Sequence, residues 1–430
     1  MRSYIKSISI DHVRHLKNLQ IDILEGEELK HLILTGKNGS GKTSVLERIK
    51  AYLKSIQDGN YTNVAWQWEE NIKERLAQLN NFDKVLMTGR EYASQVQWLN
   101  NEIQRLTHSL EAYKDGIDVF ITGEKPNLYN ISNVGEKYKN SQFILAYFPA
   151  KRAINIKSSG TIKAINLDGT VKLDENLDDK FLDYLKYLKF QLLAAKDEGD
   201  LEEVPKIENW FLRLENALQE LFEQSELKLK FNSKKVTFII EEPNRESYDF
   251  NQLSDGYSAV LDIIINLIMR MEKTVTNAYD IEGIVLIDEI ETHLHIRLQA
   301  KILPFLTKFF PKIQFIVTTH SPVVLGSIEN AVIYDLEKQL KVEDLSGVAY
   351  SGIVEGYFDF GDYSKIIQDK LDRYEILVFK TDKTEDEDDE VFELRQYLKS
   401  ISGQLSPEVS LKFNTIELAR RHGGSYDKTN

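Results

Sequence analysis

Gly36-Lys37-Asn38-Gly39-Ser40-Gly41-Lys42-Thr43 fits the pattern G-x-x-x-x-G-K-[ST] at every fixed position. Glycines at these places let a backbone curl until several N–H groups point inward, which suits phosphate oxygens. A helix starting at the loop's end adds its positive N-terminus to the same anion. The spacing therefore predicts that Gly36–Thr43, with Ser44 behind it, cradles a nucleoside triphosphate, ATP in the first instance. Lys42 is expected to reach the β- and γ-phosphates, and the Thr43 hydroxyl to ligate Mg²⁺.

Three further groups lie downstream. The apolar run Ile284–Ile287 ends in Asp288 and Glu289. Acidic residues often end apolar strands, but after a full P-loop the pair gains a chemistry. Asp288 can hold Mg²⁺ through water, and Glu289 can polarise the attacking water for in-line transfer. Leu253-Ser254-Asp255-Gly256-Tyr257 precedes a strongly apolar helix. Ser254 or Asp255 reads as an ordinary helix N-cap. A helix start bearing Ser and Gly also suits a γ-phosphate approached from the opposite side. The two readings are compatible, because capping geometry is what aims the amides. His320, within Thr318-Thr319-His320-Ser321-Pro322, follows a strand-like run 32 residues after Asp288 and can sense the γ-phosphate. His293 and His295 suggest a metal pair, yet two residues apart on an expected helix they point in different directions.

These groups need a frame. Residues 4–10 and Leu19–Leu24 alternate like half-buried strands, and His31–Thr35 is a compact apolar strand running into the glycine loop. Ser44–Leu53 reads as the helix that follows, which is the order a P-loop requires. Gly283–Ile287 and Gln314–Val317 are apolar runs fit for central strands buried on both faces. Between about 55 and 230 the pattern is mainly helical. Tyr92, Val96, Leu99, Ile103, Leu106, Leu110 and Tyr113 follow a heptad spacing, read as short packed helices before an extended coiled-coil arm. One β-like stretch, Phe143–Phe148, interrupts the helices, and another run, Lys235–Glu241, follows them. The expected division is 1–54 and 231–345 for the two parts of one head, 55–230 for a helical insertion and 346–430 for a C-terminal extension that could dock a partner.

Composition narrows the classes. The chain has 430 residues, 42% hydrophobic, with a formal net charge of −14 and no cysteine. The acidic balance argues against a uniformly basic nucleic-acid binder, though not against a local patch or contact made through a partner. Disulfides, thiolate metal sites and cysteine nucleophiles are excluded. The first residues lack the apolar core of a signal peptide, and no long uncharged apolar run suggests a membrane span. The expectation is a cytoplasmic chain with no membrane partner.

GKNGSGKT, LSDGY, LIDEIETHLH and TTHSP, in that order, resemble the ABC-type ATPase heads of the SMC, RecF and OLD proteins. They look closest to bacterial ATPase subunits of antiphage defence systems such as Septu, whose PtuA is paired with an HNH nuclease, and PARIS, whose AriA is paired with a TOPRIM protein. The resemblance implies an α/β fold: a P-loop ATPase head, with a mixed sheet flanked by helices, carrying a helical or short coiled-coil insertion and a small C-terminal extension. It implies a dimer in which ATP on one copy's Gly36–Thr43 is closed by Ser254, Asp255 and Gly256 of the other. Glu289 is then the general base, His320 the switch, and Thr43 and Asp288 the Mg²⁺ residues. LSDGY stands where transporters have LSGGQ, which leaves the role of Asp255 open. Arg14 and Arg152 are candidates for phosphate or adenosine contacts, without a motif to place them, and no aromatic residue for adenine stands out.

The implied function is an ATPase whose nucleotide state controls a partner effector, a nuclease, in phage defence. One alternative is a DNA-repair ATPase of SMC or RecF type that binds DNA itself. Another is an OLD-type nuclease with a degenerate C-terminal TOPRIM, suggested by Val354-Glu355-Gly356-Tyr357-Phe358-Asp359. That match lacks a strand before Glu355 and a second Asp after Asp382. The acidic run Glu385–Glu390 reads better as the first turn of a helix than as a docking surface for a basic partner.

Overall fold

The computed structural model describes residues 2–80, 89–152, 170–272, 281–342, 365–400 and 407–422, except 25, 27 and 115, together with 154, 156, 161, 162 and 345. They divide into two compact units, Met1–Val348 and Ala349–Asn430.

Apolar runs without alternation need cover on both faces, and five of them align as the parallel strands of one sheet. These are β3 (His31–Thr35), β5 (Phe143–Phe148), β8 (Glu282–Ile287), β9 (Ile313–Thr318) and β10 (Ala331–Asp335). With β11 (Leu340–Val342), antiparallel to β10, the order is β11-β10-β3-β9-β8-β5. The fold is α/β, a mixed sheet flanked by helices. The alternating segments β1 (Ile5–Val13) and β2 (Leu16–Asp22) pair as an antiparallel hairpin, and β4 (Ile117–Ile121) joins the other edge of β1. Helix α1 (Lys42–Gln57) buries Val45, Leu46, Ile49, Leu53 and Ile56 in the core shared by these strands and one face of the large sheet.

Gln314 joins the two sheets. Its buried Oε1 accepts the Ile5 N–H at 2.7 Å, while Nε2 donates to the carbonyls of Ile5 and Lys30, both at 3.0 Å. A side-chain amide here takes the place of a neighbouring strand, and every polar group it carries is used.

Helices α2 (Asn60–Asn80) and α3 (Gly89–Lys114) pack on each other, and on α3 the heptad residues Leu99, Leu106 and Leu110 are buried. Then come α4 (Asn127–Lys139), α5 (Asp178–Glu198) and α6 (Glu203–Phe222), and the hairpin β6 (Lys228–Asn232) and β7 (Thr237–Glu241). Next are α7 (Asp255–Glu272), α8 (Ile296–Phe309) and the short α9 (Pro322–Leu325). Residues 55–230 thus also supply β4 and β5, which pair with β1 and β8. The sequence reading placed only Phe143–Phe148 there. Ile117–Ile121 is five residues long and directly follows a helical pattern, too short for its alternation to stand out.

The second unit contains α10 (Lys365–Phe379), α11 (Glu385–Ser400) and α12 (Pro407–His422) around Leu371, Tyr374, Leu377, Leu398, Phe413 and Ile416. The acidic run does open α11. The Glu387 N–H donates to Thr384 Oγ1 at 3.3 Å and the Thr384 N–H to Glu387 Oε2 at 3.0 Å, a reciprocal cap. Asp382 lies in the bend before it, and Val354–Asp359 lie outside the described residues. Among the described residues, no helix is long and apolar enough to cross a membrane.

His31, at the start of the strand that leads to the P-loop, is 2% exposed, and its Nδ1 accepts the Phe315 N–H at 3.1 Å. Burial lowers its pKa from 6.5 to about 4. The unfolded chain therefore binds a proton that the folded chain refuses, so this contribution is complete above pH 6.5 and is lost as pH falls toward 4. In urea unfolding, the wild type is expected to lose about 2–3 kcal/mol more between pH 7 and 4.5 than His31→Gln does. Equal losses would refute the assignment.

Candidate functional site

The C-terminal ends of β3, β8 and β9 bring the motifs together. Gly36 has φ 128° and Gly41 φ 99°, conformations that cost a side chain dearly. A Cβ on Gly36 would lie 2.8 Å from Ser40 Oγ, and one on Gly41 3.0 Å from Leu16 Cδ1. The loop is therefore glycine-dependent for space as well as for curvature. Lys42 is buried and folds back across the loop, Nζ donating to the carbonyls of Gly36 at 2.8 Å and Lys37 at 3.1 Å. Burial lowers its pKa, and Glu289, Glu291 and Asp288 act in the opposite sense.

Thr43 Oγ1 donates to Asp288 Oδ1 at 3.1 Å, so two hard oxygen ligands converge from β8 and α1. That donor set fits Mg²⁺. Thr318, the last residue of β9, completes the node: its hydroxyl donates to Asp288 Oδ1 at 2.6 Å and accepts the Glu289 N–H at 2.7 Å. Glu289 itself has φ 43°, a left-handed conformation unusual outside glycine. The His320 N–H donates to Glu291 Oε1 at 2.5 Å. Burial, and then the charge of Lys42, lower the His320 pKa, which favours a neutral imidazole at pH 7.

Glu289, His320 and Lys42 line one cavity of about 420 Å³ with Asn38, Gly39, Gly41, Thr43 and Ser44. Val13 at the end of β1, Arg14 from the β1–β2 turn, and Glu47 and Arg48 from α1 complete the lining. Arg14 is thus at the cavity, whereas Arg152 is not. All four Nη hydrogens of Arg152 go to backbone carbonyls: Pro149 at 2.8 Å, Asp288 at 2.7 Å, Glu289 at 3.1 Å and Ile290 at 3.2 Å. The expected phosphate or adenosine contact by Arg152 is corrected accordingly. Lys37 points outward, paired with Glu337 at the surface, so the loop uses its backbone rather than its charge.

Ser254 and Asp255 are exposed at the start of α7, and neither they nor Gly256 are among the cavity's lining residues. Gly256 meets the chain elsewhere: a Cβ there would sit 2.9 Å from the His293 carbonyl oxygen. His293 lies in a turn and His295 is the extended residue just before α8, so neither is on the expected helix. His295 instead caps α8, Nδ1 accepting the Arg297 N–H at 3.4 Å. Among the described residues, no group of three or more His, Asp or Glu could hold a metal by itself. Sequence reasoning missed Thr318, Glu47 and Arg48. Thr318 stood within reach of the reading, as the last residue of the strand before His320.

The family described as "AAA domain, putative AbiEii toxin, Type IV TA system" matches residues 108–326, just over half of the chain. The chain belongs to this family. The matched part of this AAA-domain chain holds Ser254, Asp288, Glu289 and His320, and the P-loop precedes it. The chain is 26% identical over 408 residues to the Septu protein PtuA of Bacillus mycoides, covering 92% of itself and 50% of that protein. To the Septu protein PtuA of Bacillus thuringiensis it is 28% identical over 359 residues, covering 77% of itself and 78% of the relative. It therefore spans about half the length of the first of these relatives. The SMC head domain from Thermotoga maritima aligns over 77% of this chain and 94% of its own, at 12% identity and a TM-score of 0.33. By family and relatives, this is an AAA-type ATPase domain related to the Septu proteins PtuA.

Thr318→Val would leave the Glu289 N–H and an Asp288 oxygen without their shared partner. The expected cost is about 1–3 kcal/mol of stability, with Thr318→Ser close to the wild type. Chemical denaturation measures both, and a valine variant as stable as the serine one would show that the hydroxyl is not needed.

Proposed function

We propose that the chain hydrolyses ATP to ADP and phosphate at a site completed by a second copy, and that its nucleotide state holds or releases an effector, a nuclease, in antiphage defence. The observation that carries the ATPase reading is the single cavity shared by the P-loop, Glu289 and His320, with Thr43 and Asp288 in contact at its edge. Phosphate oxygens are received by the loop amides and the start of α1. Lys42 exchanges its two carbonyl partners for the β- and γ-phosphates. Thr43 and Asp288 would hold Mg²⁺, which when bound would neutralise charge on the phosphates. Glu289 accepts a proton from the attacking water as its oxygen bonds to the γ-phosphorus and the bond to the β-phosphate oxygen breaks. A neutral His320 can donate to, and so sense, the γ-phosphate.

Dimerisation is supported by the exposed Ser254 and Asp255, which can receive a nucleotide only from outside this chain's own cavity. The effector reading rests on the Septu relatives.

Lys42→Ala is expected to weaken ATP binding in calorimetric titration. Glu289→Gln should still bind ATP but turn over about 10²–10³-fold more slowly, and should trap an ATP-dependent dimer in light scattering. Ser254→Arg should keep ATP binding and abolish that dimer. Wild-type turnover by Glu289→Gln would overturn the base assignment.

A further inference from the structure

Arg152 is only 6% exposed, and its planar cation grips three consecutive carbonyls, those of Asp288, Glu289 and Ile290. The N–H side of the same turn is held by the sheet. Asp288 N donates to the Phe148 carbonyl at 2.9 Å, Glu289 N to Thr318 Oγ1 at 2.7 Å and Ile290 N to the Thr318 carbonyl at 3.1 Å. A glutamate at φ 43° needs its surroundings to keep it there, and the carbonyl side of that restraint is a buried guanidinium.

The chain beyond Arg152 is anchored elsewhere. The Ile154 N–H donates to Ser258 Oγ at 2.9 Å, in the first turns of α7. Ile156 exchanges two bonds with the Asn251 side chain, N–H to Oδ1 at 3.2 Å and Nδ2 to its carbonyl at 3.0 Å. Ser254–Gly256 lie between Asn251 and Ser258. Alternate residues 152, 154 and 156 therefore connect the backbone of Glu289 to both sides of the LSDGY segment.

We infer that Arg152 is a positioning residue that sets the backbone of Glu289, and that the link through Ile154 and Ile156 carries displacement of the LSDGY segment to that glutamate. The inference rests on the reading of Glu289 as the base. An arginine serves here because one rigid fork spans several acceptors, whereas an ammonium is a single point of attachment. A partner's nucleotide seated on Ser254–Gly256 would press on the two anchors, Ser258 and Asn251. The connection would pass that movement to the carboxylate facing the water.

The test combines kinetics with amide hydrogen exchange on the full chain, wild type against Arg152→Lys, Arg152→Met, Ser258→Ala and the Arg152→Lys/Ser258→Ala pair. ATP affinity is expected to stay at the wild-type value in all of them, because the P-loop is untouched. kcat should fall about 10²-fold in Arg152→Met and less in Arg152→Lys, as misplacement of a reacting group by about 1 Å would produce. Exchange at Glu289–Thr292 should quicken in the unliganded protein while residues 36–45 are unchanged. The paired variant should lose less than the product of its single losses, because both act through one connection.

Wild-type kcat and wild-type exchange in the Arg152 variants would overturn the inference. So would a parallel loss of ATP affinity and kcat with exchange raised throughout, the mark of a merely structural residue. Should Arg152→Met fail to fold, Arg152→Lys and Ser258→Ala carry the same readouts. If the wild type does not hydrolyse ATP, the ATPase reading fails while the exchange pattern still decides whether Arg152 holds the turn.

Discussion

One hydroxyl joins Asp288 and Glu289, two of the site's carboxylate-bearing residues. Thr318 Oγ1 gives its proton to Asp288 and receives one from the Glu289 amide, at 2.6 and 2.7 Å. Three parallel strands, β3, β9 and β8, lie side by side, and their C-terminal ends must each turn away from the sheet. The turns carry backbone groups that have lost their ladder partners, and buried ones are costly if left unpaired. Thr318 on the middle strand satisfies the turn after β8, and the Thr319 N–H donates to the Leu34 carbonyl of β3 at 3.1 Å. The positions of Asp288, Glu289 and the P-loop thus follow from strand order and from a few hydrogen bonds across the strand ends.

Charge balance constrains the same place. Lys42 is buried beside Asp288, Glu289 and Glu291, and its charge is tolerated because the acids are near. A triphosphate adds several negative charges to a site that already holds three carboxylates. Lys42 alone does not offset them; Arg14 and Arg48 also line the cavity, and in the proposed reading a divalent cation held by Thr43 and Asp288 would add to the balance. The two carbonyls that Lys42 now occupies are neutral partners, easily exchanged for an anion.

Some of this was legible in the sequence because it rests on residue type. The strands β3, β5, β8 and β9 were visible as unbroken apolar runs. Gly36 and Gly41 were legible because only glycine takes those φ values without a penalty, and Thr43 and Asp288 because one completes the P-loop pattern and the other ends an apolar run downstream of it. The work of Arg152 was illegible. Its partners are backbone carbonyls, which every residue carries, so no pattern of side chains announces them. β4 was hidden by its length, and the turn at 288–295 by apolar and acidic residues whose spacing suits a helix. The left-handed Glu289 and His293, at 43° and 66°, break that helix for reasons that lie in the neighbouring strands and in α7.

Gly256 shows how two demands can share one residue. At a helix start open to solvent, a glycine suggests close approach by something from outside. Here the nearest obstacle to a side chain is internal, the His293 carbonyl 2.9 Å from where a Cβ would be. His293 follows Glu289 by four residues in the same turn, so bulk at 256 would push on the turn that carries the acid. Loss of activity on substituting Gly256 therefore cannot by itself report on a second subunit. Ser254 is the cleaner probe, since it is exposed and its side chain can be changed without entering that contact. Gly256 meets that turn directly, and Arg152 leads to it from residues bonded to Asn251 and Ser258, on either side of Ser254. Whatever binds there meets a segment already braced against Glu289.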